Sequence, residues 1–145
     1  MSIMAALSDK GRHAVTTTVD ATLVEAMHTL VEFKIGYLVV LDAERHVEGV
    51  LSERDIIRAL TEKGAATLAL RAGELMTAHP ITCAPEDEPK DVLRDMNLHG
   101  FRHMPVVDKG KVVGIVSSRD IIRHLLEQMG MDVTTITRLQ EMGIY

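Results

Sequence analysis

Gly49-Val-Leu-Ser-Glu-Arg-Asp-Ile-Ile-Arg58 and Gly114-Ile-Val-Ser-Ser-Arg-Asp-Ile-Ile-Arg123 are two copies of one ten-residue segment. Seven of the ten positions are identical, and two of the three differences exchange one apolar residue for another. The copies lie 65 residues apart in a chain of 145 residues. Because two copies are too few for a solenoid, this repeat predicts two half-domains related by pseudo-twofold symmetry.

The similarity extends upstream of both copies. Tyr37–Asp42 aligns with His103–Asp108, and Val15–Thr17 aligns with Ile81–Cys83, both at an offset of 66. Short apolar runs alternate with helical periodicity in the order β-α-β-β-α, twice, which predicts an α/β fold with helices covering a sheet. The predicted elements are, in the first copy, a strand Ala14–Thr17, a helix after Asp20, strands Tyr37–Leu41 and Val47–Leu51 and a helix Glu53–Lys63, and in the second copy a strand Pro80–Cys83, a helix from Pro89, strands Met104–Val107 and Val112–Val116 and a helix Ser118–Met129.

Local signals place the helix starts and the domain boundaries. Asp20 is the predicted N-cap of the first helix, and Glu88 precedes Pro89, a favourable first helical residue. The predicted core-facing positions are Leu23, Ala26, Met27, Leu30 and Val31 in the first copy and Val92, Leu93 and Met96 in the second. We expect a first repeat with an N-terminal segment at residues 1–64, a linker with one helical turn at 65–79, a second repeat at 80–130 and a C-terminal extension at 131–145. In that extension Ile136, Leu139 and Met142 have near-helical spacing.

Composition excludes several classes of protein. The net charge is −5 with both signs mixed along the chain, and aromatic residues make up 3%, so neither a basic footprint nor stacking platforms for nucleic acid are expected. The single Cys83 excludes an intrachain disulfide and fits a reducing compartment. No apolar run approaches the ~20 residues of a membrane span, and the N-terminus lacks the features of a secretory signal. We therefore expect a cytoplasmic protein without nucleic-acid or membrane partners.

The repeated Ser-x-x-Asp pattern has two interpretations. Ser52 with Asp55, and Ser117 with Asp120, fit a capping box at a helix start. The intervening Arg, however, opposes the helix dipole by about 0.3–1 kcal/mol, so stability alone does not explain its presence in both copies. A helix N-terminus with free N–H groups, a hydroxyl and an Arg suits a phosphate, and the Asp suits a ribose diol. The second interpretation is therefore a nucleotide site.

This organisation resembles a tandem pair of CBS domains, the cystathionine-β-synthase-type regulatory modules also called a Bateman module. The resemblance covers about residues 3–130 and rests on the motif Gly-h-h-Ser/Thr-x-x-Asp (h, apolar), present at Gly49–Asp55 and Gly114–Asp120. Met76–Thr82 is also similar to the family's usual entry into its second repeat. The resemblance implies a ligand cleft that faces both repeats, with each motif opposite the strands of the other copy.

Carried over to this chain, the resemblance implies two non-equivalent ligand sites. The first would contain Ser52, Arg54, Asp55, Pro80, Ile81, Thr82, Arg102, His103 and Met104. The second would contain Val15, Thr16, Gly36, Tyr37, Leu38, Ser117, Arg119 and Asp120. The first site has Arg102 and His103 where the second has Gly36 and Tyr37, which favours a phosphate-rich ligand at the first.

The expected function is a free-standing, non-catalytic sensor that binds AMP, ADP, ATP or NAD(H), or S-adenosylmethionine, and signals to a target protein that the sequence does not identify. No cofactor is expected to be required, because no catalytic nucleophile, acid/base dyad or metal set accompanies the motifs. Among His13, His28, His46, His79, His99, His103 and His124, HxH spacing does not occur, and HxxxH spacing occurs once, at His99 and His103. The alternatives are a structural adaptor that dimerises without a physiological ligand, and an enzyme fragment or regulatory subunit cut from a larger chain.

A homodimer is also expected. The resemblance implies that two such modules pair through helices into a disc. The apolar positions after each motif offer a self-complementary surface formed by Ile56, Ile57 and Leu60 with Ile121, Ile122 and Leu125.

The asymmetry between the sites generates a first prediction. Arg102→Ala should weaken AMP binding at the site of Ser52, Arg54 and Asp55 and flatten its salt dependence, since an Arg–phosphate hydrogen bond is about twice as strong as a neutral one. Titration calorimetry at two salt concentrations measures both effects, with Tyr37→Ala as the expected neutral change at this site. Nucleotide found only beside Asp120, with Arg102 free, would contradict the assignment.

Overall fold

The computed structural model describes residues 2–7 and 14–145. Met1 and residues 8–13, which include His13 and part of the expected 1–64 segment, lie outside the described residues. The chain divides into two units. Of the described residues, the first-repeat unit holds 14–81 and 109–112, and the second-repeat unit holds 2–7, 82–108 and 113–145. Both combine helices with strands, as the repeat predicts.

The elements follow the predicted order with additions at the linker and at both termini. The helices are α1 Ile3–Leu7, α2 Leu23–Phe33, α3 Glu53–Lys63, α4 Ala72–Leu75, α5 Pro89–His99, α6 Ser118–Gln128 and α7 Val133–Glu141, with a 3₁₀ helix at Gly64–Ala69. The strands are β1 Thr16–Thr18, β2 Tyr37–Leu41, β3 Val47–Ser52, β4 Thr77–Ala78, β5 His103–Asp108 and β6 Lys111–Ser117.

The sheet of the first-repeat unit has the order β1-β2-β3-β4. β1 is parallel to β2, whereas the β2–β3 and β3–β4 pairs are antiparallel. β2 is buried almost throughout, since the apolar run Leu38–Leu41 leaves no polar side chain for a solvent face. The antiparallel register sets Tyr37 directly opposite Ser52, so the end of the hairpin meets the start of α3.

The structure corrects the predicted N-cap of α2. Thr22, not Asp20, is the N-cap: its hydroxyl accepts from the Glu25 N–H at 3.2 Å, and the Glu25 carboxylate accepts from the Thr22 N–H at 2.8 Å. A Thr-x-x-Glu box satisfies two helix N–H groups, which an Asp two residues earlier cannot reach. Of the predicted core positions, Val31 is also wrong, because its side chain is 77% exposed.

The linker contains more structure than the single helical turn expected. Its backbone returns to the start of α2, where the Ala72 N–H donates to the Ala21 carbonyl at 2.8 Å and the Leu23 N–H donates to the Leu70 carbonyl at 3.0 Å. Thr67 is fully buried and donates its hydroxyl to the Ala59 carbonyl at 3.0 Å. These bonds make the linker part of the first-repeat unit.

The predicted strand Pro80–Cys83 is wrong. It is reduced to one parallel bridge between Cys83 and Val106, in which the Cys83 N–H donates to the Pro105 carbonyl at 3.0 Å. Pro80 has no N–H to offer a ladder, and the residue before it, His79, has a positive φ of 51°. Sheet pairing occurs instead just upstream, where β4 joins β3.

The termini pack on the second repeat. Ile3 and Leu7 belong to the same buried cluster as Val92 and Met96, although the sequence groups the N-terminal segment with the first repeat. Their i, i+4 spacing presents one apolar face, and the Ile3 N–H donates to the Asp87 carbonyl at 3.0 Å. At the C-terminal end of the chain, Asp132 is the N-cap of α7, and Ile136 is the buried residue of this helix.

The motif glycines generate a prediction from packing. A Cβ on Gly49 would lie 2.8 Å from the Thr77 carbonyl oxygen and 2.5 Å from the Met76 sulfur, whereas one on Gly114 would meet a Leu7 methyl at 2.9 Å. Only the first clash involves backbone. Gly49→Ala should therefore lower the free energy of unfolding by about 1–3 kcal/mol, and Gly114→Ala by less, because Leu7 can rotate. Urea unfolding measures both, and an equal or larger loss for Gly114→Ala would contradict this account.

Candidate functional site

Both copies of the motif begin a helix in the same way. The Ser52 hydroxyl accepts from the Asp55 N–H at 3.2 Å, and Asp55 Oδ2 accepts from the Ser52 N–H at 2.9 Å and from its hydroxyl at 2.8 Å. Ser117 and Asp120 repeat these three bonds at 3.2, 3.0 and 2.6 Å. The capping-box interpretation is therefore confirmed for both copies. In the nucleotide interpretation, a ligand would bind through the polar groups that the box does not use.

The box uses one carboxylate oxygen of Asp55 and leaves the other. Asp55 Oδ1 faces the Arg58 guanidinium, whose Nη1 lies 3.9 Å away, too far for a hydrogen bond. The Asp55 side chain is 20% exposed, so solvent or a ligand can reach it. Oδ1 therefore retains lone pairs that can accept hydrogen bonds from a hydroxyl group.

The N–H groups at the helix starts are less available than the sequence suggests. The Glu53 N–H donates to the Gly36 carbonyl at 3.0 Å, and the Ser118 N–H donates to the Arg102 carbonyl at 2.9 Å. With the Asp55 N–H bonded to Ser52, the N–H of Arg54 is the remaining donor of the first three in α3 within the described chain. An anion here would therefore depend mainly on the arginine side chains.

Arg54 and Arg119 meet that requirement. Both are exposed in the first turn of their helix, and among the described residues neither guanidinium forms a hydrogen bond or an ion pair. A cation at this end of a helix opposes the macrodipole by about 0.3–1 kcal/mol unless an anion accompanies it. Within the described part of the chain, two cations without a partner thus lie beside two hydroxyl–carboxylate pairs.

The structure brings Tyr37 to the first motif. Tyr37 pairs with Ser52 across the β2–β3 hairpin, and burial, followed by the charge of Asp55, raises the pKa of its hydroxyl above the ordinary range. The phenol therefore stays protonated. Its assignment to the second site remains a prediction. Because Tyr37 also lies beside Asp55, Tyr37→Ala is expected to affect the first motif as well.

The other predicted site residues fall into two groups. Leu38 and Met104 are 0% and 1% exposed and belong to the cores of their units, so their side chains cannot contact a ligand at the surface. The reachable residues are the half-buried Val15, Thr16, Gly36 and Pro80 and the exposed Ile81, Thr82, Arg102 and His103.

Sequence reasoning missed a cleft on one side of α3. It has a volume of about 200 Å³ and lies against α4 and β4 in the first-repeat unit. Its polar lining comes from Asp55, Arg58, Glu62, Lys63, Glu74 and Thr77. The sequence feature that could have indicated this cleft is the arginine that occurs three residues after each motif aspartate, at Arg58 and Arg123.

Other chemistries receive no support from the described residues. No group of three or more His, Cys, Asp or Glu side chains in residues 2–7 and 14–145 could hold a metal ion. Cys83 is packed in the second-repeat core, and burial raises the pKa of its thiol to about 12, with a smaller effect from Asp87. The thiol is therefore protonated and unsuited to nucleophilic attack at neutral pH. Within the same residues, every helix is too short or too polar to cross a membrane.

The chain matches the sequence model of one protein family in two places. The CBS-domain family model matches residues 10–62 and 72–127, more than half of the chain. This chain belongs to the CBS-domain family. The two matches correspond to the two repeats, and the α/β units observed are those of a CBS pair.

Solved structures of CBS proteins have the same fold. The CBS-domain protein ATU1752 of Agrobacterium tumefaciens is 34% identical, with a TM-score of 0.80 over 86% of this chain and 98% of that one. PAE2072 of Pyrobaculum aerophilum, solved in complex with AMP, is 29% identical, with a TM-score of 0.74 over 83% of this chain and 89% of that one. The CBS pair of MJ0100, in complex with 5′-methylthioadenosine and S-adenosyl-L-methionine, is 26% identical, with a TM-score of 0.76 over 88% of this chain and 98% of that one. Against four curated relatives, this chain spans 40–65% of their length.

The capping boxes generate a prediction about stability. Ser52→Ala and Ser117→Ala each remove the hydroxyl that accepts from the helix, so each should lower the free energy of unfolding by about 0.5–2 kcal/mol. Ser118→Ala is the matched control, because Ser118 lies in the same turn and its side chain takes no part in the box. Urea unfolding of the three variants makes the comparison. A loss for Ser118→Ala as large as that for Ser117→Ala would show that the box is not the cause.

Proposed function

We propose that this CBS pair is a regulatory, non-catalytic module that binds an adenosine-containing ligand at its Ser-x-x-Asp motifs and passes that signal to a partner protein. The observation that carries the proposal is the same at both motifs: a hydroxyl–carboxylate box with an unpaired arginine in the turn that it caps. The AMP complex of PAE2072 and the S-adenosyl-L-methionine complex of MJ0100 support an adenosine moiety as the shared ligand chemistry.

Each side chain of the motif has a distinct role in this proposal. The ribose diol donates hydrogen bonds to the Asp carboxylate, whose second oxygen remains held by the box. The phosphate of AMP, ADP, ATP or NAD(H) is paired with the exposed guanidinium of Arg54 or Arg119. The negative charge of the phosphate then compensates the unfavourable interaction between the guanidinium and the helix dipole. The residues assigned by resemblance on the opposing strands, Arg102 and His103 among them, are proposed to complete the sites.

Dimerisation is proposed on a smaller surface than the sequence indicates. Ile56 and Ile121 are buried in the cores of their own units, so they cannot contribute to a self-association surface. Ile57 is 64% exposed, and Leu60, Ile122 and Leu125 are half-buried. A structural adaptor that dimerises without a ligand is the competing function, and it predicts that changes at the motif aspartates have no effect on any nucleotide equilibrium.

Ligand binding supplies the test. Asp55→Ala and Asp120→Ala remove an acceptor for two hydroxyls and should each weaken AMP binding at their own site by about tenfold to a hundredfold. Titration calorimetry measures this directly. A ligand at 100 times its dissociation constant should also stabilise the wild-type protein by about 2.7 kcal/mol, seen as a rise of several degrees in Tm.

Two controls separate binding from folding. Asp55→Asn and Asp120→Asn keep a side-chain oxygen for the box and remove the negative charge. Asp91→Ala removes an exposed carboxylate from the first turn of α5, a helix without the motif, and should leave AMP affinity unchanged. Unchanged affinity in both Asp→Ala variants and in the double variant would favour the adaptor.

A further inference from the structure

The arginine three residues after each motif aspartate has a different partner in the two repeats. Arg58 and Arg123 occupy equivalent positions, and each also has a glutamate four residues later, Glu62 and Glu127. Arg123 takes the later partner, with Nε 3.2 Å from Glu127 Oε1. Arg58 turns the other way, and its Nη1 lies 3.9 Å from Asp55 Oδ1.

The separation in the first repeat suits an intervening hydroxyl group. A hydroxyl oxygen that lies about 2.8 Å from each atom spans a gap of 3.9 Å, donating to the carboxylate and accepting from the guanidinium. Asp55 Oδ2 is committed to Ser52, so Oδ1 is the oxygen that such a hydroxyl would meet. Asp55 and Arg58 line the same cleft, which gives the pair an open side.

Without a ligand the contact between Asp55 and Arg58 contributes little. The Arg58 side chain is 62% exposed, and an exposed ion pair stabilises a protein by only about 0–1 kcal/mol. A ligand hydroxyl can therefore enter between the two groups at small cost. In the second repeat, the Nε of Arg123 donates to Glu127 instead, four residues later in α6.

We propose that Arg58 is a specificity-determining residue of the first ligand site, where it and Asp55 hold one ribose hydroxyl between them. The inference rests on the proposed function, since it requires a ribose at Asp55. It makes the two motifs unequal in ribose recognition although their sequences agree at Arg and Asp. For a ligand that lacks this hydroxyl, Arg58 would make no difference between the affinities of the two sites.

The experiment compares Arg58→Gln with its matched control Arg123→Gln. Adenosine, 2′-deoxyadenosine and 3′-deoxyadenosine are the probes, because a neutral ligand removes the general attraction between arginine and phosphate. The first site is measured in an Asp120→Asn background and the second in an Asp55→Asn background. We expect Arg58→Gln to weaken adenosine binding about threefold to tenfold and Arg123→Gln to change it less than about twofold. One deoxy analogue, the one without the held hydroxyl, should bind equally to the Arg58→Gln protein and to its parent.

Each outcome separates the inference from the function beneath it. Equal effects of Arg58→Gln and Arg123→Gln, or an effect of Arg58→Gln that persists with both deoxy analogues, would overturn the shared-hydroxyl arrangement. Unchanged adenosine affinity in Arg58→Gln, together with weaker binding in Asp55→Asn, would also overturn the shared-hydroxyl arrangement. In that case the proposed function would stand. If the wild-type protein binds neither adenosine nor AMP, the proposed function itself fails, and the role of Arg58 fails with it.

Discussion

Two hydrogen bonds to one carboxylate oxygen, from the N–H and the hydroxyl of the serine three residues earlier, determine where α3 and α6 begin. The turn from strand to helix depends on them, because Ser52 ends β3 while it caps α3. The first N–H of each helix is then held by the residue just before the first strand of its hairpin, through the carbonyls of Gly36 and Arg102. This one arrangement brings a hydroxyl, a carboxylate and an arginine to the surface of each repeat.

The same arrangement places stability and recognition on a single side chain. One oxygen of Asp55 is bonded to the protein, and the other is left to the Arg58 guanidinium and to solvent. A carboxylate divided in this way is already oriented, so a ligand hydroxyl meets an acceptor that needs no rearrangement. Arg54, in contrast, is at an unfavourable position for the isolated helix, and this conflict between local stability and residue choice is typical of functional positions.

Much of the fold follows from local patterns, and the errors have local causes. β2 and α3 have the predicted bounds, since a continuous apolar run and a capped amphipathic segment are strong signals. The start of α2 was misplaced because Asp20 and Thr22 are both good caps, and only the reciprocal bond from Glu25 favours Thr22. The strand at Pro80–Cys83 is inferred from alignment with the first copy, but Pro80 has no N–H to donate, whereas Ala14 at the aligned position has one.

The sequence by itself determined the repeat, which follows from comparing two segments of the chain. It also determined the order of elements, the two capping boxes and the identity of the polar groups at the site, because each of these depends on residues within a few positions of one another. Only the tertiary structure decided that α1 joins the core of the second repeat and that Tyr37 lies beside Asp55, since those contacts join distant segments. It also decided the partner of Arg58. That arginine has an acid three residues before it and another four residues after it, as Arg123 has, so helical spacing alone allows either pair.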